Sequence, residues 1–127
     1  MLNRIGQIAL TVDDVERATA FYRDVVGLTY LFSAPPGLAF FDVGGAWIML
    51  GPPEGERQER FASILYFDVD DIRAAYEEMK RKGANFRTEP HRVHSDGTRE
   101  LWLADFFDSE GNTMCLRRWA PVTAVRR

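Results

Sequence analysis

A single cysteine among 127 residues, Cys115, leaves no internal disulfide to form and argues against the disulfide-stapled secreted class. Histidine is nearly as scarce: His91 and His94 are the only two, which confines imidazole chemistry to one stretch of chain. No apolar run approaches a bilayer span, and the opening "MLNRIGQIA" lacks a continuous apolar core. Neither a membrane span nor an export leader is therefore expected, and the cytoplasm is the expected compartment. There is also no excess of positive charge. A formal net charge of -3 and a pI near 5.4 provide no basic field for nucleic acid or an anionic membrane surface.

What is present suits a globular protein: 46% hydrophobic and 28% charged residues, in a length that buries roughly two-thirds of its unfolded surface as one domain. The strongest signal is internal repetition. "VDDVERA" at 12–18 returns as "VDDIRAA" at 69–75, an offset of 57 residues, and "FFDVGG" at 40–45 parallels "FFDSEG" at 106–111, an offset of 66. The chain thus reads as two repeats, about 4–52 and 62–119. The proline- and glycine-containing stretch 51–61 links them, and 120–127 is an aperiodic tail.

Each repeat opens with a strand-like run, "IALTV" at 8–12 and "ILYFDV" at 64–69. An aspartate then caps a helix: Asp13, with Glu16 in the capping-box position, and Asp70 without a box. Val15, Ala18, Tyr22 and Val25 form one apolar helix face; Ile72, Ala75, Tyr76 and Met79 form the other. Gly27 and Gly83 occupy the left-handed positions that end the helices. Three short strands follow each helix, "TYLFS", "LAFFDV" and "AWIML", then "NFRTE", "LWLADF" and "TMCLRRW". The predicted class is α+β, with tandem βαβββ repeats and mixed sheets flanked by helices.

Tandem βαβββ repeats with "ALTVDDVERATAFYRDVVGL" at the start and "FFDSEGNTMCL" near the end resemble the vicinal oxygen chelate superfamily. That group includes glyoxalase I, extradiol dioxygenases, methylmalonyl-CoA epimerase, and fosfomycin- and bleomycin-resistance proteins. The resemblance spans almost the whole chain and implies curved sheets that form a half-barrel cleft. In metal-using members, each repeat supplies one ligand from its first strand and one, usually glutamate, from its last. Carried onto this chain, that pattern falls on Gln7, Met49, Ile64 and Cys115. The set is poor for a divalent ion, because hard cations want oxygen or imidazole, thioether and thiolate are soft, and isoleucine donates nothing. No metal ligand and no cofactor are expected, and a divalent metal at displaced ligands is the alternative.

By period-two alternation, Gln7, Ala9 and Thr11 share one strand face and Ile8, Leu10 and Val12 the helix-facing one. The expected ligand surface joins Gln7 to Trp47, Met49, Ile64, Tyr66, Trp102, Cys115 and Arg117, with Phe32 and Phe40 nearby. Arg117 suits either an anionic ligand group or a surface ion pair. The polar stretch 89–102, read as a loop, carries His91, His94 and Glu100 as candidate acid–base groups or a second-site metal cluster; an ordinary solvated turn is the other reading of it. The functional expectation is metal-free binding of a small organic molecule by a homodimer, as in bleomycin-resistance-type proteins. The alternative is a lyase, isomerase or dioxygenase with a divergent site.

Overall fold

The computed structural model describes residues 2–53 and 63–122. The chain divides into two compact units, 1–62 and 63–127. The first follows the predicted order: β1 (Gln7–Thr11), α1 (Val15–Ala20) continuing as a π-helical turn (Phe21–Val26), β2 (Thr29–Ala34), β3 (Leu38–Val43) and β4 (Ala46–Gly51). Its sheet runs β1-β4-β3-β2, with β1 parallel to β4 and the other pairs antiparallel. The mixed sheet arises because α1 carries the chain back to the starting end of β1, whereas the later strands are joined by tight turns. At the β3–β4 turn Gly44 and Gly45 both hold positive φ, a conformation costly to residues with a Cβ.

The second unit contains β5 (Leu65–Asp68), α2 (Ile72–Arg81), β6 (Asn85–Phe86), β7 (His91–Ser95), β8 (Arg99–Phe107) and β9 (Thr113–Pro121). Its sheet runs β5-β9-β8-β6, and β7 also pairs with β8. Here the expected loop at 89–102 proves to be an antiparallel hairpin. Asp96 Oδ1 orders its turn by accepting from Thr98 N, Thr98 Oγ1 and Arg99 N at 2.8–2.9 Å. β6 and β7 together therefore hold the outer position that β2 fills alone in the first unit, and the extra residues of the second repeat lengthen the sheet. Ala120 and Pro121 continue β9 rather than start a tail; 123–127, and 54–61 of the expected linker, lie outside the described residues.

The helix-facing strand residues form the cores. α1 packs on β3 and β4, and α2 on β8 and β9. The two cores centre on Leu10, Tyr22, Phe41 and Leu50 in the first unit, and on Phe106, Met114 and Leu116 in the second, all at 2% exposure or less. The helix caps differ from expectation by one residue. Asp14 accepts from Arg17 N and Asp71 from Ala74 N, each at 3.0 Å, so neither Asp13 nor Asp70 is the cap and Glu16 completes no box. Asp14 and Asp71 each have the extended backbone that aims the carboxylate at the first turn of the helix. Gly27 ends the first helix at φ 87° as expected. The "FFDSEGNT" turn is held by the buried Asp108, which accepts from Glu110 N, Asn112 N and Asn112 Nδ2 at 2.8–2.9 Å.

Candidate functional site

In the first unit the sheet face turned away from α1 collects the expected residues. Strand register places Gln7 beside Trp47 and Ala9 beside Met49, and pairs Met49 with Phe40 and Phe40 with Phe32. Cross-strand partners share a face, so these side chains form contiguous rows. Phe32 stacks on Phe40 at 4.6 Å between ring centroids, and Trp47 meets both rings edge-on at 5.7 Å. Phe40 is enclosed by the other two, whereas Phe32 and Trp47 remain 42% and 37% exposed. Gln7 Nε2 points to Met49 Sδ at 3.8 Å. Three edge-or-face aromatic rings, one thioether and one amide thus form a polarizable surface.

The second unit presents a different surface. Tyr66, Cys115 and Arg117 lie on the face away from α2, as alternation predicts, with Ile64 exposed one residue before β5. Cys115 has no exposed area, and burial together with a hydrogen bond involving Asp105 pushes its thiol up to about 12. That is the reverse of what a nucleophile or a thiolate ligand requires. Arg117 is engaged by Asp68 in a two-pronged pair, Nε to Oδ1 at 2.7 Å and Nη2 to Oδ2 at 3.0 Å. This is the ion-pair reading of Arg117, and the pair holds the Asp68 carboxyl below its ordinary range.

The three acid–base candidates do not converge. Register puts His91 opposite Leu103 and His94 opposite Leu101, on the face away from α2; a bulge between Arg92 and His94 keeps both there. Glu100 lies on the other face, 2% exposed, accepting from Arg92 Nη1 and Trp102 Nε1, each at 3.2 Å. His94 with Glu100 is therefore not an acid–base pair. Trp102 is likewise on the helix face, because it pairs with Arg118 in register with Ala104 and Leu116. In its place the away face holds Trp119, with Arg99 over its ring at 4.3 Å and His94 edge-on at 6.2 Å. Continuing the alternation from Cys115 and Arg117 by one more step reaches Trp119, a signal that was present in the sequence.

The expected ligand quartet fails as a donor set: Gln7 is directed to the Met49 thioether, Cys115 holds its proton, and Ile64 has nothing to donate. Among the described residues, no three His, Cys, Asp or Glu side chains cluster closely enough to hold an ion. No helix among them is long and apolar enough to cross a membrane.

Residues 4–116 match the Glyoxalase/Bleomycin resistance protein/Dioxygenase superfamily. The chain belongs to that superfamily. It is 26% identical to the uncharacterized protein YetH of Bacillus subtilis, over 92% of this chain and 99% of that one. A superfamily member from Sphaerobacter thermophilus has the same fold, with a TM-score of 0.79 at 20% identity, covering 93% of this chain and 98% of that one. TnmS3, an antibiotic binding protein from a Streptomyces species, matches at a TM-score of 0.76 and 19% identity, covering 94% and 98%. The superfamily accommodates both binding proteins and enzymes on one scaffold, so the reading of this member rests on its own side chains.

Proposed function

We propose that this superfamily member is a small-molecule-binding protein that holds a flat organic ligand against the Phe32, Phe40 and Trp47 face without a metal. The observation that carries the reading is the aromatic cluster, half exposed on a sheet face where register sets Gln7 and Asp42 beside Trp47. Stacking on such a surface needs no reactive group, and Gln7 supplies one directional hydrogen bond. The shared fold of TnmS3, an antibiotic binding protein, supports the same class of role. The enzyme alternative loses its best acid–base pair, since Glu100 and His94 occupy opposite faces. Homodimerisation belongs to the proposal, supported by Tyr30 and Leu31 exposed on the edge strand β2. So does residence in the cytoplasm, which the lone thiol favours.

The test is a thermal-shift screen of planar aromatic compounds, paired with elemental analysis of protein purified without added metal. Ligands that raise Tm are expected to lose about tenfold or more in affinity in Trp47→Ala, the loss of one stacking partner. Tightly bound stoichiometric Mn, Fe, Ni or Zn that disappears in Gln7→Ala would overturn the metal-free reading. A ligand whose affinity is indifferent to Trp47→Ala and Phe32→Ala would overturn the assigned face.

A further inference from the structure

The helix face of the second sheet is only partly covered. α2 begins at Ile72 and buries the part of β8 and β9 around Ala104, Phe106, Met114 and Leu116, yet the strands run on to Arg99 and Pro121. On this overhang, register sets Trp102 beside Arg118 and Glu100 beside Ala120. The result is a hollow of about 340 Å³, lined by Trp102, Arg118 and Ala120 from the sheet, Ile72 and Arg73 from α2, and Pro90. A volume of that size lies at the small end of ligand sites.

Two features give the hollow a chemical preference. Trp102 is fixed by its indole N–H bond to the buried Glu100, so a rigid ring forms part of the wall. Arg118 is the unspent cation. Of the other arginines on β7–β9, Arg92 bonds Glu100, Arg117 bonds Asp68 and Arg99 stacks on Trp119, whereas half-buried Arg118 has no hydrogen-bond or ion-pair partner among the described residues. A half-buried guanidinium beside an indole matches a carboxylate on a flat apolar body. Asp70 and Asp71 also border the hollow, and their charge opposes a dianion such as phosphate more strongly than a monoanion.

We propose that this hollow is a binding site for an aromatic monocarboxylate, with the carboxylate on Arg118 and the ring against Trp102, Ile72 and Pro90. It does not depend on the reading of the Phe32, Phe40 and Trp47 face, which lies on the other unit. The test titrates naphthoate into isotopically labelled protein and follows the indole N–H signals of Trp47, Trp102 and Trp119 by NMR. Saturable movement of Trp102 alone is expected. Neutral naphthamide and the Arg118→Gln variant should each weaken binding by about tenfold, with Tm unchanged in the variant. Ala120→Leu, which fills the hollow but keeps Arg118, should abolish it. A Trp102 signal unmoved up to about 10 mM naphthoate would overturn the proposal. So would equal affinity in Arg118→Gln, or inorganic phosphate displacing naphthoate. Movement of Trp47 alone would overturn this site while supporting the open-face ligand surface.

Discussion

Cys115 provides a sharp test, because its environment predicts a thiol that is chemically silent until the protein unfolds. The perturbation is a chromogenic disulfide reagent at pH 8, applied to the native protein and to protein in guanidinium. With its pKa pushed up to about 12, roughly one thiol in ten thousand is ionised at that pH. In an unfolded chain, with an ordinary value near 8.5, about one in four is ionised. The higher-pKa thiolate is the better nucleophile, which recovers about one and a half of those three decades. Ionisation alone therefore slows native labelling by close to two orders of magnitude. Full burial of the sulfur should slow it further, leaving labelling to proceed through transient opening. Stoichiometric labelling of native protein within the dead time of mixing would refute the reasoning, and would restore Cys115 as a nucleophile or ligand. The same shift has a signed pH consequence. A pKa raised by folding gives stability that is complete below the unfolded value and is lost as pH rises toward the folded one. The stability difference between wild type and Cys115→Ala should therefore shrink by about 2 kcal/mol between pH 8 and pH 10.

Three further outcomes follow. Asp71→Ala should cost about 1 kcal/mol, a fall of a few degrees in Tm by calorimetry, while Asp70→Ala should stay within a degree; equal effects would refute the assigned cap. Gly27→Ala, at φ 87°, should destabilise by about 1 kcal/mol in urea unfolding, and a neutral result would mean that the helix end relaxes at no cost. Asp68, whose pKa is lowered by Arg117, contributes stability above the ordinary carboxylate value that is lost as pH falls through its lower folded value. Because the pair is largely exposed, Asp68→Asn should change acid stability by no more than a few tenths of a kcal/mol, and a larger loss would mark the pair as structural.

Much of this architecture was legible in the linear chain. Repetition exposed the two units, and period-two and helical spacing located β3, the apolar helix faces and the split of β1 into Gln7 and Leu10 sides. Those signals are local: each depends on which residues recur within a few positions, and the physics that reads them is alternation and burial. The failures share another cause. His91 to Ser95 carries exposed side chains, polar except Val93, so nothing in its pattern announces a strand; the backbone pairing with β8 makes it one. Asp13 and Asp14, like Asp70 and Asp71, are interchangeable as residues, and only the backbone direction leaving the strand selects the cap.

By itself the sequence determined the α+β repeat architecture, the family and the poor chemistry of the four inherited ligand positions, since donor atoms are a property of residue type. Tertiary structure alone decided the partners. It turned Glu100 and Trp102 to the helix face, gave Arg117 to Asp68, kept the proton on Cys115 and brought Phe32, Phe40 and Trp47 into one cluster. Those outcomes depend on strand register and on where each helix stops, which bring together residues many positions apart and which no local spacing encodes.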